Sequence, residues 1–298
     1  MIRLAHWALT SLMRVLALLP LTWLRGLGAV VGQVLFALVK KRRKVVLVNL
    51  GLCFPTLSEC ERHELALKVF KHFAQAWLDR AWIWYGSEEL LRQRLRWAGE
   101  LQVLKKREDP QTKTQGQVIF APHFWGLDAA WTLLTLDMPG EFSTIFTPQS
   151  SKASEAWMTQ GRSRFGAVSL NTREDGVKKI IQSLRQGGTL YLLPDMNFGP
   201  EESIFVDFYG VKAATVPSLS KFSRVGQAQV VPVISRMTSF GYEIKVHKPW
   251  AHFPTGDVVA DTQEMNHWLE GEINQAPEQY LWVHKRFKTR PPGEHQIY

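Results

Sequence analysis

His123 and Asp128 are the residues whose types and spacing best suit chemistry in this chain. A short β-type apolar run, Val118–Ala121, leads into a turn at Pro122, and Gly126 then opens an apolar stretch typical of a helix. A histidine at the end of a strand, with a carboxylate at the start of the next helix, can form a general base. The acid fixes the imidazole tautomer through one ring nitrogen, and the other nitrogen is left to take a proton.

The spacing alone is weak evidence for such a base. With 9 histidines and 27 acidic residues in 298, roughly 0.8 matches to His-x4-Asp/Glu arise by chance. Of the three matches in this chain, only His123/Asp128 has a strand, a turn and a helix around it. The alternative for His123 is a structural histidine whose ring is hydrogen-bonded to backbone at the strand end. The three pairs are His123/Asp128, His252/Asp257 and His267/Glu272.

Length and composition limit the kind of protein this is. A chain of 298 residues with 45% hydrophobic content can bury one large core, or one core plus a small appendage. Its two cysteines, Cys53 and Cys60, form no C-x-x-C pair, and nothing else offers a zinc-type cluster, so we expect no metal and no cofactor. A reduced, cytosol-facing environment is the simplest fit.

The positive charge is concentrated near the beginning of the chain. Of the net charge of +9, residues 1–58 contribute eight basic side chains and no acidic one, whereas the other 240 residues nearly balance. A nucleic-acid-binding domain would spread basic residues over its folded surface, so no nucleic acid is expected. Basic residues beside an apolar segment indicate contact with anionic membrane lipids.

That apolar segment, Leu4–Val39, is interrupted by arginines 11 residues apart, which lie on one face of a helix. We expect an amphipathic helix in the membrane interface, kinked near Pro20, followed by an apolar helix over Gly26–Val39. Two alternatives remain open: a tilted single span ending at Lys40–Lys44, with the main domain in the cytosol, and an ordinary buried helix pair. A cleaved signal peptide fits poorly, because no small-residue cleavage site follows.

The rest of the chain alternates strand-like and helical runs, which predicts an α/β fold with a mostly parallel central sheet flanked by helices. We divide the chain into a membrane-associated segment (1–44), a main domain (45–290) and a loose tail (291–298). Within the main domain, a helical lead-in over about 58–107 precedes an α/β core over about 117–290. The predicted strands are Val118–Ala121, Ser143–Phe146, Thr189–Leu193, Gln229–Ile234 and Tyr242–Val246. The predicted helices are Ser58–Tyr85, Glu88–Trp97, Glu100–Arg107, Leu127–Leu136, Lys152–Arg164, Glu174–Gln186, Val216–Arg224 and Asp261–Asn274.

Several stretches in this order resemble the bacterial lipid A late acyltransferases, the lauroyl/myristoyl transferases within the glycerolipid-type acyltransferase superfamily. The resemblance covers nearly the whole chain. One departure is that many lipid A enzymes carry Glu where this chain has Asp128, whereas the wider superfamily uses Asp there. The stretches that carry it are Asn49–Pro55, the His123-x4-Asp128 block, Leu193–Gly199, Phe205–Gly210 and Pro277–Lys288.

The resemblance implies a fold like the glycerolipid acyltransferases and transfer of a fatty acyl group from a thioester to a hydroxyl. His123 would deprotonate the hydroxyl and Asp128 would orient the ring, with no covalent intermediate. By position, Arg164 or Arg162 would support anionic groups of the substrate, although a solvated helix end is the alternative for both. Asp195 would be the acidic residue at the mouth of the site, or a turn residue.

The expected partners are acyl carrier protein as donor, a lipid A precursor as acceptor and anionic lipids of the inner membrane, on the cytosolic leaflet. One alternative is transfer to another lysophospholipid or glycolipid from acyl-CoA. Another is a non-catalytic membrane adaptor, against which the intact His123/Asp128 pair argues. Arg286 and Lys288 match the end of the family pattern but could be solvated charges.

Overall fold

The computed structural model describes residues 2–105, 115–172 and 177–298. Its centre is a seven-stranded sheet in the order β1-β9-β8-β2-β5-β3-β4. All neighbouring pairs in this sheet are parallel except β8 and β9, which form an antiparallel hairpin. The prediction of a mostly parallel α/β sheet is therefore confirmed. The strands are β1 (Leu95–Gly99), β2 (Gln117–Phe120), β3 (Glu141–Phe146), β4 (Ala167–Thr172), β5 (Thr189–Leu192), β6 (Ile204–Phe208), β7 (Val211–Thr215), β8 (Gln229–Thr238) and β9 (Gly241–Val246).

Helices cover both faces of the sheet, and the alternation of side chains along the strands explains why. In β2, Val118 and Phe120 belong to one buried cluster, while Ile119 belongs to the other. Because successive side chains point to opposite faces, a strand buried on both sides needs an uninterrupted apolar run. The helices are α1 (Ile2–Leu16), α2 (Leu21–Leu38), α3 (Lys40–Cys53), α4 (Glu59–Tyr85), α5 (Glu88–Arg94), α6 (Leu127–Asp137), α7 (Lys152–Arg162), α8 (Lys178–Arg185), α9 (Ser218–Gly226) and α10 (Val258–Gln275).

The start of α4 follows directly from its local sequence. Ser58 accepts a hydrogen bond from the Glu61 backbone amide at 3.2 Å, and the Glu61 carboxylate accepts one from the Ser58 amide at 2.8 Å. This reciprocal capping box satisfies two amides that have no partner within the helix. The 27-residue helix that begins there runs from beside the basic α3 and carries Arg80, which binds Asp128 in α6.

The N-terminal helices α1 and α2 are separated near Pro20, as the sequence predicts. Helix α2 packs closely on α4, since a Cβ at Gly28 would lie 2.8 Å from Gln75 Cα and one at Gly32 only 2.5 Å from Lys71 Cα. Only glycine permits this approach of two backbones. Among the described residues, α2 is also the one helix long and apolar enough to cross a membrane, although 28% of it is buried against the protein.

One arginine of this N-terminal segment, Arg25 on α2, is held against the protein. Arg25 pairs with the fully buried Asp79 at 3.0 Å and donates a hydrogen bond to the Gly241 carbonyl at 2.9 Å. Asp79 also accepts hydrogen bonds from Tyr242 and Trp82. The outward side of both helices is apolar and exposed, while Arg25 holds α2 against α4 and β9. Its side chains are Leu4, Trp7, Leu12, Val15, Leu18, Trp23, Leu27, Val30, Val31, Val34 and Leu38.

Four strands and helix α3 were not predicted from the sequence, and two predicted helices differ in the structure. The predicted helix over Glu88–Trp97 ends at Arg94, and the chain then forms β1 by pairing with β9. Strand β4 at the other edge and the β6–β7 hairpin were not predicted, since edge strands lack a clear alternating pattern. Of the predicted helix Glu100–Arg107 only a short 3-10 turn forms, and residues 106–107, most of the loop Glu108–Gly116 and the start of Glu174–Gln186 lie outside the described residues.

The segment 291–298, expected to be a loose tail, packs against the main domain. Ile297 and Tyr298 contact the apolar core that contains α10. The Tyr298 hydroxyl donates to the Asn49 side chain on α3 and accepts a hydrogen bond from the Phe287 amide. These contacts connect the end of the segment to α3 and to the stretch 277–288.

Candidate functional site

His123 lies in a segment held in place from two sides. The segment continues from β2, and Ala121 still donates to the Leu192 carbonyl. On the other side, the Leu281 amide donates to the His123 carbonyl at 3.0 Å, and the Trp125 amide donates to Gln279 at 2.9 Å. Because its backbone is bonded on both sides, the direction of the imidazole is set by the fold.

The partner of His123 is Asp195, which comes from the neighbouring strand. The ring Nδ1 lies 2.7 Å from Asp195 Oδ1, and the His123 amide donates to Oδ2 at 3.0 Å. Phe120 and Leu192 are partners in the parallel register of β2 and β5. His123 and Asp195 each follow these residues by three positions. Carboxyl ends of parallel strands meet at one edge of the sheet, and this brings the two side chains together.

Asp195 is fully buried yet remains an anion. Burial acts to raise the pKa of this carboxyl, but attraction to the His123 imidazole and hydrogen bonds from His123 and Tyr280 lower it below its ordinary value. A carboxylate at Nδ1 selects the tautomer with its hydrogen on Nδ1. The Nε2 atom is then an acceptor, and it has no partner within the part of the chain that the structure describes.

The expected pairing of His123 with Asp128 is not what the structure contains. Asp128, in the first turn of α6, accepts hydrogen bonds from Arg80 Nε and Arg162 Nε, each at 2.8 Å. Burial acts to raise the pKa of Asp128, but the two guanidinium groups lower it below its ordinary value. The prediction is corrected because α4 and α7 bring two cations to this carboxylate, while the adjacent strand supplies the acid for the imidazole.

The approach of α6 to the sheet depends on Gly126. A Cβ at this position would lie 2.2 Å from Ser235 Oγ and 2.8 Å from the Tyr242 ring. No larger residue fits without moving the sheet side chains. Gly126 therefore lets the start of α6 lie close to β8 and β9. Asp128, two residues further on, lines the cavity at His123.

Of the two predicted arginines, the structure brings only Arg162 to this site. The Arg162 side chain lines the cavity with His123 and is held through Nε by Asp128. Its terminal nitrogens have no partner among the described residues, so they are available to an anionic group. Arg164 instead donates to the Ile83 and Gly86 carbonyls at the end of α4 and lines a different cavity.

The cavity at His123 has a volume of about 240 Å³ and is open to solvent. Asp195 is completely buried behind His123, so its predicted place at the mouth of the site is corrected. Neither cysteine lines the cavity, and burial raises the pKa of the Cys53 thiol well above its ordinary value. Apolar and aromatic walls come from Leu127, Trp131, Met158, Tyr191, Leu193 and Phe198.

Sequence reasoning missed three residues that support the site. Tyr280 donates to Asp195 Oδ2 at 3.0 Å, and Arg80 binds Asp128. His284 accepts a hydrogen bond through Nε2 from the Asn197 amide, and burial, together with the nearby His123 and Arg286, lowers its pKa to about 4. The signal for Tyr280 and His284 was available, since both lie in the stretch 277–288 that resembles the family. Arg80 had no signal, because it sits in a long helix with many charged residues.

Arg286, which the sequence left open as a solvated charge, is buried. It donates to the Ala214 carbonyl at 2.7 Å and to Thr215 Oγ1 at 2.6 Å, and its guanidinium lies 5.1 Å from the Phe208 ring centre. It therefore connects the β6–β7 hairpin to the segment that carries Tyr280 and His284. This is a structural contact outside the cavity.

The chain is similar to a family of known proteins over nearly its whole length. Residues 1–289 match the family model described as bacterial lipid A biosynthesis acyltransferase. The chain is 32% identical to the lipid A biosynthesis myristoyltransferase of Escherichia coli K12 over 294 residues, which cover 98% of this chain and 89% of that protein. It is 30% identical to the lipid A biosynthesis lauroyltransferase of the same organism, over 92% of this chain and 88% of that protein. A lipid A biosynthesis acyltransferase of Haemophilus influenzae is 31% identical, over 86% of this chain and 78% of that protein.

Proposed function

The chain belongs to the bacterial lipid A biosynthesis acyltransferase family, and we propose that it transfers a fatty acyl group from an acyl thioester to a hydroxyl of a lipid A precursor. The observation that carries the proposal is the His123 imidazole. Its Nδ1 is bound to a buried carboxylate, while the ring lines an open cavity that also contains a cation. This is the arrangement that a general base requires.

In the proposed reaction, His123 Nε2 takes the proton of the acceptor hydroxyl as its oxygen attacks the thioester carbonyl carbon. The new carbon–oxygen bond forms, the carbon–sulfur bond breaks, and the imidazolium returns the proton to the leaving thiolate. Asp195 stabilises the imidazolium that exists between these two proton transfers. Because the thioester is already activated, no acyl-enzyme is needed.

Arg162 is proposed to bind an anionic group of the acceptor or the oxyanion of the tetrahedral intermediate. Asp128 fixes one side of its guanidinium, and the terminal nitrogens remain for the ligand. A planar guanidinium suits bidentate contact with a phosphate or carboxylate. Base catalysis supplies roughly 10²–10⁴-fold of rate, so positioning and charge stabilisation by groups such as Arg162 must supply the rest.

The proposed place of action is the cytosolic leaflet of the inner membrane. Helices α1 and α2 lie side-on against α4, with an exposed apolar face on the other side. A helix packed along the catalytic body in this way favours insertion of its outer face into the interface over a full crossing. Tryptophans on this face, Trp7 and Trp23, are 67% and 72% exposed, as expected of residues at the headgroup level.

The proposed donor is an acidic acyl carrier protein. Helix α3 begins with Lys40–Lys44, and the Arg42 side chain donates to the Val283 carbonyl, next to His284. This places cationic surface close to the segment that supports His123. Complementary charge of this kind mainly raises the rate of encounter with an acidic partner.

The reaction is tested with purified protein and a Kdo-modified lipid A precursor, offered acyl carrier protein and CoA thioesters in parallel, with products identified by mass spectrometry. We expect one added acyl group, with the carrier-protein thioester preferred, and a rate lower by roughly 10²–10⁴-fold in H123A. A near-normal rate in folded H123A would contradict the base assignment. Acylation of a lysophospholipid or another glycolipid from acyl-CoA, without acylation of the precursor, would contradict the proposed substrates.

Membrane binding is tested separately by flotation with vesicles that contain anionic lipid. Replacing three exposed lysines of α3 (K40Q/K41Q/K44Q) should weaken binding, because each is worth roughly 1 kcal/mol near an anionic surface, on the order of a hundredfold together. The matched control removes three exposed lysines from α8 and α9 (K178Q/K179Q/K221Q) and should bind normally. Equal binding by both triple variants would contradict the assignment of the membrane-facing side.

A further inference from the structure

A second cavity lies where α1 ends, between the end of α4 and the start of α5. Its volume is about 580 Å³, and none of its lining residues is shared with the cavity at His123. Two arginines from different elements contribute to it: Arg14 from the last turn of α1 and Arg164 from just beyond α7. The proposed reaction does not use this cavity.

Both arginines are without a carboxylate partner in the described part of the chain. The Arg14 guanidinium lies 5.7 Å from the centre of the Tyr85 ring, and Arg164 donates only to the Ile83 and Gly86 carbonyls. Burial lowers the pKa of Arg164 and nearby Glu88 opposes this, but the two form no ion pair within the described ranges. Two cations sharing a cavity without a bound acid favour an anionic ligand.

The same cavity also has a neutral donor and apolar walls. Ser87 Oγ accepts a hydrogen bond from the Leu90 amide at 3.2 Å, so its hydroxyl hydrogen is free to donate to a ligand. Leu90 and Leu18 line the cavity as well, and Leu18 is 83% exposed. Leu18 continues the exposed apolar face of α1 that includes Val15, so the cavity opens beside that face. A small inorganic anion would accept hydrogen bonds from the arginines and Ser87 but would not contact Leu18 and Leu90.

We propose that this cavity binds the phosphate headgroup of an anionic glycerolipid. Arg14 and Arg164 contact the phosphate, Ser87 donates to a headgroup oxygen, and the first methylenes of the acyl chains lie along Leu18 and Leu90. This rests on the proposed placement of the α1–α2 apolar face in a membrane, and it adds a specific lipid to that placement. A bound lipid at this point would hold the α1–α2 turn to the end of α4, and so fix the depth of the catalytic body.

The test measures equilibrium binding of dihexanoylphosphatidylglycerol, below its micelle concentration, to the full chain in a non-ionic detergent. Dihexanoylphosphatidylcholine and inorganic phosphate are the comparison probes. Wild-type protein should bind one phosphatidylglycerol saturably, and R14Q should bind it on the order of tenfold more weakly, because a charge-assisted contact is lost. R14K should stay within about threefold of wild type, since lysine binds phosphate as a point charge. R224Q, which removes an exposed arginine from the last turn of α9, should bind normally.

Three outcomes would overturn the proposal. The first is unchanged phosphatidylglycerol binding by R14Q, and the second is equal binding of phosphatidylcholine, whose choline compensates the phosphate charge. The third is inorganic phosphate binding as tightly as the lipid, which would make the cavity a plain anion site. The H123A variant should lose acyl transfer and keep lipid binding, so failure of this proposal and failure of the proposed function are distinguishable.

Discussion

Asp195 and Asp128 are buried carboxylates at one cavity, and the groups they contact differ in kind. Asp195 contacts His123 and Tyr280, groups that can exchange or donate protons. Asp128 contacts Arg80 and Arg162, which stay charged at any physiological pH. Asp195 is thus placed to support a proton transfer, and Asp128 is placed to fix the position of a cation.

The difference follows from which elements bring the partners. Strands β2 and β5 are direct neighbours, so the residues after them meet without help from any helix. Asp128 instead lies where α4, α6 and α7 converge, and long arginine side chains reach it from both flanking helices. Asp128, the acid of the His-x4-Asp pattern, therefore holds the Arg162 cation at the cavity wall.

The largest effect is expected for D195N. Without its carboxylate the imidazole loses its tautomer preference and its charge compensation, and we expect kcat to fall by roughly 10²-fold or more with little change in the KM of the acceptor. D128N should act in the opposite way, raising KM more than it lowers kcat, since Arg162 is released. Steady-state kinetics on both variants would contradict the different roles of Asp195 and Asp128 if the changes in kcat and KM were the same in both variants or reversed.

Stability should be affected most at Asp128. Removing its charge leaves two partly buried guanidinium groups, 16% and 17% exposed, without compensation, and D128N should lower the free energy of unfolding by about 3–5 kcal/mol. The matched control is D207N, since Asp207 forms an ion pair with Lys212 in which both side chains are more than 40% exposed. That pair is worth at most about 1 kcal/mol. Urea unfolding in detergent, followed by tryptophan fluorescence, measures both, and similar losses would contradict the argument from burial.

A smaller, pH-dependent effect is expected on the Asp195 side of the cavity. Burial lowers the pKa of His284 from its ordinary 6.5 to about 4 in the folded protein. Between these values the unfolded chain binds a proton that the native His284 does not, so stability falls as the pH falls through this window, by roughly 3 kcal/mol in all. H284Q should remove this part of the dependence.

The measurement is the difference in unfolding free energy between wild type and H284Q from pH 7 to pH 4. The difference is needed because other groups of the described residues, such as His247, Glu270 and Glu61, also titrate in this range. The pKa of His247 is also lowered, with the same sign of effect, and the pKa of Glu270 is raised, with the opposite sign. A constant difference across the window would show that His284 is not kept neutral by the fold.

Much of the fold could be read from local pattern. The capping box at Ser58, the break near Pro20 and the apolar run before His123 depend on nearby residues, so the sequence predicts them correctly. Strand β1 could not be found in this way, because residues 95–99 become a strand only by pairing with β9. The close packing of α2 on α4 through Gly28 and Gly32 likewise depends on residues about 40 positions away.

The sequence by itself determined that this chain has an α/β sheet, a histidine at a strand end beside a helix, a basic and apolar N-terminal segment, and a resemblance to one acyltransferase family. The tertiary structure decided which acid meets His123, which arginine faces the cavity, and where Arg164 goes. The physical reason is that strand order and helix packing join residues far apart in the chain. A pattern of nearby residues specifies an element, whereas the contacts of a buried charge depend on every element that packs around it.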